Sequence, residues 1–222
     1  MKPEIIKIDA NHPDPALIAR AVSILKEGGV IAYPTETFYA LGAHADNEAA
    51  VERIFAIKDR SFSNPIALIV GKDENLAELI KEVPPTANKL MEVFWPGALT
   101  LVFQASDRII PRLTAGTGKI GIRVSSHPIA SALAQTLSFP ITATSANLSG
   151  AGECSTAKEV IDRLGEKIDA LIDGGRTRGG VGSTVLDMTT DPPAMLREGV
   201  IPGPLLYPSL QKRCHFKRSK KY

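Results

Sequence analysis

The chain has 222 residues, which is long enough for one domain with a hydrophobic core. Hydrophobic residues make up 44% and charged residues 23%, which excludes a disordered, collagen-like or coiled-coil chain. No apolar run approaches the ~20 residues that span a bilayer. The residues after Met1 lack the pattern of a secretory signal. We therefore expect a cytoplasmic protein without a membrane anchor.

The charge is unevenly distributed along the chain. Its net value is +2, but six of the 26 basic residues lie in 212–222, where no acidic residue occurs. The remainder has 20 basic and 24 acidic residues. Such a net-acidic body is not typical of a dedicated duplex-binding protein. We expect a domain over 1–210 and a basic tail over 211–222, which is a solvated end, an RNA-attracting arm or a remnant of cloning.

Helical and strand patterns alternate along the chain. The first helix is predicted from Asp14-Pro15, a capping acid followed by proline, to the pair Gly28-Gly29. Further helices are predicted over 47–58, 74–82, 86–94, 127–137 and 156–164, and strands over 30–33, 66–70, 99–103, 120–124, 140–144, 170–172, 184–188 and 194–197. The strands alternate with helices and then cluster late. This order predicts one α/β domain with an open, twisted, mixed sheet and flanking helices.

Several common site signatures are absent from the sequence. The two cysteines and four histidines are too scattered for a disulfide framework or a zinc site, so we expect no protein-bound structural metal. The segment Gly116-Thr117-Gly118-Lys119 is followed by isoleucine, so it is not a Walker loop. Neither GxGxxG nor GxSxG occurs in a suitable context, which argues against a Rossmann site and a nucleophile-elbow hydrolase.

Two polar clusters early in the chain are candidate binding elements. Tyr33-Pro34-Thr35-Glu36-Thr37 follows a predicted strand, where α/β sheets bind ligands, although the same residues suit a capping turn. Lys58 and Arg60, with Asn64 shortly after them, end a predicted helix. Two cations there either complement the helix dipole or clamp a polyphosphate.

The second half of the chain contributes further polar groups. Residues 144–150, rich in hydroxyls and containing one amide, form a loop that suits either an anion or an ordinary turn. The glycine-rich stretch 179–184 allows a close approach of backbone to ligand, or is merely a loop. Arg123 and Arg197 lie within or at the end of predicted strands. Each therefore requires a partner or an anionic ligand.

Seven motifs in this order resemble the YrdC family of threonylcarbamoyl-adenylate synthases, in its short, single-domain type. They extend over nearly all of residues 5–207, and they are YPTETFYALG (33–42), KDRSFSNPIALIV (58–70), WPGALTLVF (95–103), GIRV (121–124), ITATSANLSG (141–150), GSTVLDM (182–188) and LREG (196–199). The resemblance implies an α/β sheet around a large, positively lined central cavity. It also implies a nucleotidyltransferase that makes threonylcarbamoyl-AMP and diphosphate from L-threonine, bicarbonate and ATP. A separate transferase complex then uses this product to modify an adenosine beside the tRNA anticodon.

The resemblance also implies roles for individual residues. The family signature KxR…SxN falls on Lys58, Arg60, Ser145 and Asn147. We expect Lys58 and Arg60 to be catalytic and to bind ATP, together with Asn64, Ser145, Asn147 and Arg197. We expect Thr35, Arg123 and Ser183 to bind threonine, with Mg²⁺ carried by the ATP phosphates. Many relatives have a histidine or lysine after the strand over 66–70, and here Lys72 could take that place.

Two other functions remain open from the sequence. The first is an RNA-binding module of the same fold, although aromatic residues make up 5% of the chain and the body is net acidic. The second is a paralogue that carbamoylates or adenylates another small substrate. A requirement for both threonine and bicarbonate separates the synthase from either alternative.

Overall fold

The computed structural model describes residues 2–59, 64–72 and 76–210. The α-helices in these ranges are α1 Pro15–Lys26, α2 Glu48–Lys58, α3 Pro85–Phe94, α4 Pro111–Thr114, α5 Pro128–Leu137, α6 Ala157–Leu164 and α7 Gly203–Leu206. The strands are β1 Glu4–Lys7, β2 Ile31–Pro34, β3 Tyr39–Gly42, β4 Ala67–Ile69, β5 Leu99–Gln104, β6 Lys119–Arg123, β7 Ile141–Ser145, β8 Ala170–Asp173, β9 Thr184–Asp187 and β10 Ala194–Arg197. No helix in these ranges is both long and apolar enough to cross a membrane.

The strands form one mixed sheet in the order β1-β8-β2-β3-β7-β4-β6-β5-β9-β10. Parallel pairs (β1–β8, β2–β8, β4–β6 and β5–β9) are interspersed with antiparallel ones. In the middle of the sheet, β7 is antiparallel to both β3 and β4. The end of β7 therefore lies beside the entry to β4 and the start of β3. The α/β class with a mixed sheet and flanking helices is confirmed.

Two hydrophobic clusters cover the two faces of the sheet. Two adjacent residues of β2 belong to different clusters, since Ala32 lies in one and Ile31 in the other. Successive side chains of a strand point to opposite faces, so the two clusters lie on opposite sides. Buried residues of α1 and α5 belong to the Ile31 cluster, and those of α2, α3 and α6 belong to the Ala32 cluster. The helices thus flank the sheet on both faces.

Most predicted elements are present, but the helix over 74–82 is not. A 3₁₀ turn at Leu76–Glu78 replaces it, and residues 73–75 lie outside the described ranges. The segment that follows pairs with the end of β5 instead, since Ile80 bridges Ala105 and the Lys81 N–H donates to Gln104 O at 3.0 Å. Strands β1 and β3 had no predicted counterpart. The tail over 211–222 also lies outside the described residues.

Candidate active site

A cavity of about 620 Å³ opens on one face of the sheet. Alternate residues of β5, β6 and β9 form its floor, namely Thr100, Val102, Lys119, Gly121, Arg123, Val185 and Asp187. Residues between them, such as Leu101 and Ile122, are buried in the core. This half of the sheet therefore supports the core with one face and encloses a space of ligand size with the other.

The cavity brings together polar residues that are far apart in the sequence. Six of the predicted site residues line it, namely Thr35, Asn64, Arg123, Ser145, Ser183 and Arg197. Lys58 and Asn147 adjoin the cavity wall through Ser145 but are not part of it. Arg60 lies outside the described residues, so its role stays a prediction. Lys72 is exposed and does not line the cavity, so the structure gives no support to its place in an amino-acid pocket.

Lys58 braces the loop of residues 145–151, which we call the β7 loop. It is the last residue of α2 and is 2% exposed. Its ammonium donates to the backbone oxygen of Ser145, to that of Asn147 at 2.8 Å and to Asn147 Oδ1 at 2.9 Å. An ammonium has three N–H donors, and these three acceptors use all of them. Lys58 therefore positions the β7 loop in this structure, while direct binding of phosphate by Lys58 stays a prediction.

Asn147 completes this brace from within the β7 loop. Its Oδ1 accepts a hydrogen bond from Ser145 Oγ at 2.7 Å as well as the one from Lys58, and its Nδ2 donates to Ala151 O. The Ser149 N–H donates to Lys58 O at 2.9 Å. These contacts order the loop and present Ser145 at the cavity wall.

The turn between β2 and β3 serves the fold and the cavity together. The Thr35 hydroxyl donates to Phe38 O at 2.7 Å and accepts from the Thr37 N–H at 3.2 Å. The Gly179 N–H donates to Thr37 O at 2.8 Å, which ties the glycine-rich loop to this turn. Because both threonines also line the cavity, the turn and ligand interpretations of this cluster are compatible.

Arg123 meets the expectation that a buried arginine has a partner. It is 7% exposed, and its Nη1 lies 3.1 Å from Glu36 Oε1. Ser125 Oγ donates to the other oxygen of the same carboxylate. The guanidinium therefore reaches the cavity as one member of a buried ion pair.

Arg197 is anchored to the loop before β9. Its Nε donates to Ser183 O and its Nη2 to Ser183 Oγ, both at 2.9 Å, and that hydroxyl lies 3.0 Å from Thr100 Oγ1. The two nearby glycines differ in the space that they leave for a side chain. A Cβ at Gly182 would lie 3.3 Å from the guanidinium, and one at Gly199 would lie 2.3 Å from Gly182 O. Close approach of two backbones thus explains the glycine of the LREG motif.

The structure adds an ion pair to the cavity that sequence reasoning missed. Lys119 Nζ lies 2.8 Å from Asp187 Oδ2. Burial alone would raise the pKa of Asp187, but hydrogen bonds from Lys119 and Thr189 outweigh it and lower the pKa below its usual value. The period of two along β6 could have revealed Lys119, because it shares the cavity face with Arg123.

Glu153 is a further charged residue of the cavity that the sequence did not indicate. The residue is mostly exposed, yet the surrounding protein partly desolvates its carboxyl, and this raises its pKa. The charges of Arg197 and Lys58 partly oppose the effect. Desolvation in turn lowers the pKa of Arg197, with Glu153 opposing that change. An acidic group and a guanidinium therefore interact at the cavity edge.

An α/β sheet with a polar, cation-containing cavity defines a class of ligand-binding α/β domains. A family model for the Sua5, YciO and YrdC proteins, described as "Telomere recombination", matches residues 23–199. The threonylcarbamoyl-AMP synthase of Pyrococcus abyssi is 44% identical over 82% of this chain and 54% of its own length. That of Vibrio vulnificus is 36% identical over 82% of this chain and 98% of its own length. The chain belongs to the Sua5/YciO/YrdC family.

A solved structure supports the same relationship. P. abyssi Sua5 complexed with L-threonine is similar to this chain with a TM-score of 0.89 and 39% identity. The similarity covers 93% of this chain and 60% of that one. The chain thus spans only a little over half of these longer relatives.

The brace formed by Lys58 predicts a cost in stability. Lys58→Met keeps the length of the side chain but leaves its buried oxygen acceptors without this donor, so we expect a loss of about 2–3 kcal/mol in the free energy of unfolding. Chemical denaturation measures the effect. Lys26→Met, at the exposed end of α1, is the matched control and should change little. Equal, small effects at both positions would contradict the brace.

Glu153 predicts a pH-dependent effect on stability. Because desolvation raises its pKa, its protonated form is favoured by folding. The contribution of Glu153 to the stability of the fold is therefore most favourable below pH 4.5, the ordinary pKa of a glutamate. This contribution is lost as the pH rises through the higher pKa that Glu153 has in the folded state. We expect Glu153→Gln to raise the Tm at pH 7, with a difference that disappears near pH 4. Exposed Glu82→Gln is the control, and a lower Tm for Glu153→Gln at pH 7 would contradict the prediction.

Proposed function

We propose that this protein is an L-threonylcarbamoyladenylate synthase, a nucleotidyltransferase that converts L-threonine, bicarbonate and ATP into threonylcarbamoyl-AMP and diphosphate. The observation that carries the proposal is the convergence of Arg123, Ser145 and Arg197 on one cavity. The names of the relatives support this activity, and the threonine bound to P. abyssi Sua5 supports the substrate.

The residues suit a reaction that depends on neutralising charge. The amine of threonine and bicarbonate first form a carbamate with loss of water. A carbamate oxygen then attacks the α-phosphorus of ATP, so that a new P–O bond forms and the bond from this phosphorus to diphosphate breaks. Two anions approach and a third leaves, so fixed cations and hydrogen-bond donors stabilise the transition state and no nucleophilic side chain is required. Arg197, Asn64 and Ser145 are proposed to contact the nucleotide, as are Lys58, Arg60 and Asn147. Movement of Lys58 towards a phosphate would require it to release part of the β7 loop.

The threonine side of the cavity is proposed to contain Arg123, Thr35 and Ser183. A guanidinium binds a carboxylate through two parallel hydrogen bonds, which fixes the amino acid as well as attracting it. The hydroxyls of Thr35 and Ser183 are already hydrogen-bonded within the protein. Their fixed positions favour discrimination, because a polar pocket rejects a substrate that leaves its groups unpaired.

Magnesium is proposed to enter as the MgATP complex. Among the described residues, no three of the His, Cys, Asp and Glu side chains cluster as a metal site. Within the part of the chain that the structure describes, the carboxylates of the cavity wall are Glu153 and Asp187, and Asp187 is paired with Lys119. Since Mg²⁺ is commonly held by phosphate oxygens, water and one or two carboxylates, this donor set suits a nucleotide-borne ion.

The product is proposed to supply tRNA modification beside the anticodon. A separate transferase complex would receive threonylcarbamoyl-AMP, and the reaction would take place in the cytoplasm. Any direct contact of this chain with RNA is proposed to be weak, since its body carries more acidic than basic residues.

A product assay tests the proposed reaction. The chain is incubated with ATP, Mg²⁺ and bicarbonate plus threonine, serine or valine, and diphosphate and the adenylate are measured by mass spectrometry. We expect threonylcarbamoyl-AMP only when both threonine and bicarbonate are present. Absence of diphosphate release would favour the RNA-binding module, and a preference for another acceptor would favour the paralogue.

Arg123→Lys tests the assignment of the threonine carboxylate. Lysine keeps the positive charge beside Glu36 but lacks the planar fork, so we expect the KM for threonine to rise about tenfold with little change in the KM for ATP. Steady-state kinetics measure both constants. Arg112→Lys is the matched control, because Arg112 is paired with Glu52 at 2.8 Å outside the cavity wall. An effect confined to the KM for ATP would overturn the carboxylate role.

A further inference from the structure

We infer that Glu36 is a positioning residue, whose carboxylate holds the Arg123 guanidinium in the orientation that receives the carboxylate of the amino-acid substrate. The inference rests on the proposed function, since it takes Arg123 as the residue that binds that carboxylate. Glu36 itself contacts no substrate in this arrangement. It would determine how strongly the site distinguishes a carboxylate from a neutral group.

The ion pair joins two distant segments at the cavity. Glu36 lies in the turn between β2 and β3, and Arg123 is the last residue of β6. The contact between Oε1 and Nη1 measures 3.1 Å, and the two side chains are 14% and 8% exposed. Arg123 lines the cavity whereas Glu36 does not. The carboxylate therefore contacts the guanidinium from outside the space that a ligand would occupy.

Glu36 is itself held in place by the protein. Ser125 Oγ donates to its Oε2, and the same hydroxyl accepts from the His127 N–H at 3.2 Å. Oε1 is buried and has no hydrogen bond of ordinary geometry in the described part of the chain. The ion pair with Arg123 is thus the contact that offsets burial of this oxygen. Each member of the pair depends on the other.

The pairing leaves part of Arg123 available to a ligand. A guanidinium has five N–H donors in one plane, and Glu36 contacts it at Nη1. Within the described ranges Glu36 is the sole ion-pair partner of Arg123. The edge formed by Nε and Nη2 therefore has the geometry for a bidentate carboxylate.

The charge of Glu36 also offsets repulsion inside the cavity. Desolvation is the largest cause of the lowered pKa of Arg197, and the positive charge of Arg123 lowers this pKa further. The two guanidinium groups therefore influence each other. A buried arginine that is repelled by another cation and lacks a partner would rotate away or recruit a solvent anion. Glu36 holds Arg123 in the cavity wall, so the substrate carboxylate meets an already oriented group.

Ligand binding by Glu36 variants tests this role. The dissociation constants of L-threonine and of L-threoninamide, which lacks the carboxylate, are measured by calorimetry with the wild-type chain, Glu36→Gln and Glu36→Asp. We expect Glu36→Gln to weaken threonine about tenfold, which corresponds to the loss of one charge-assisted contact, and to affect threoninamide much less. The preference for threonine over the amide should therefore fall. Glu36→Asp, which keeps the charge but shortens the side chain, should lower this preference to a smaller extent.

A matched control and the remaining outcomes separate the possibilities. Glu52→Gln removes the carboxylate of the ion pair with Arg112 outside the cavity and should leave both constants unchanged. Equal weakening of both ligands by Glu36→Gln would indicate a merely structural role and overturn the inference, as would an unchanged preference. If Glu36→Gln does not fold, Ser125→Ala takes its place, because it removes the hydrogen bond to Glu36 Oε2. Ser125→Ala must then lower the preference for threonine over threoninamide. An unchanged ratio of the two dissociation constants in this variant overturns the inference. Failure of the wild-type chain to bind threonine would instead overturn the proposed function.

Discussion

The structure around the cavity depends on pairing cations, of which Lys58 and Arg123 are buried, with oxygen atoms from other segments of the chain. Such charges are costly to remove from water unless close partners replace the lost hydration. Four of these contacts surround the cavity, namely Lys58 with the β7 loop, Arg123 with Glu36, Arg197 with Ser183, and Lys119 with Asp187. Three of them join segments that are far apart in the chain, whereas Arg197 and Ser183 are 14 residues apart. The contacts that satisfy the cations therefore also assemble the cavity wall.

This pairing changes what the cavity offers to an anion. The resemblance to the YrdC family implied a positively lined space, but part of that charge is already balanced by Glu36, Asp187 and Glu153. Anions are then attracted through the donors that remain on oriented groups rather than through a large excess of positive charge. Such preorganisation favours ligands of matching shape, because the hydrogen-bond donors are held in fixed positions and do not move to fit the ligand.

Local sequence patterns predicted much of the fold because several signals had a direct physical cause. Asp14 accepts from the Ala16 N–H at 2.8 Å, as its capping pattern predicted, and the capping box at Thr156 begins α6. The prediction over 74–82 failed because pairing with β5, a long-range contact, replaced the local helical preference. Strand β3 was missed because only the polar residues 33–37 were interpreted, and the apolar residues 39–42 directly after them were not.

The candidate site was predictable only in part, because the partners of its charged residues depend on tertiary contacts. Six of the predicted residues line the cavity, but the partners of its charges were not identified. Glu36 lies within a quoted motif, yet its contact with Arg123 requires the sheet order β2-β3-β7-β4-β6, which no local pattern reveals. The pairing of Lys119 with Asp187 likewise requires β5 to lie between β6 and β9. The motifs therefore identified residues that are capable of the chemistry. The order of the strands determined which of their charges are already paired within the protein.

The part of the chain that forms the cavity coincides with the part shared across the family. Its lining residues extend from Thr35 to Arg197, inside the 23–199 segment that the family model matches. The V. vulnificus relative is covered over 98% of its length, and the P. abyssi relative over 54%. The cation pairs described here belong to this shared segment. The partners named above for these four cations lie on strands, turns or loops within the segment that the family model matches, so this segment contains the cavity groups that the proposed chemistry requires.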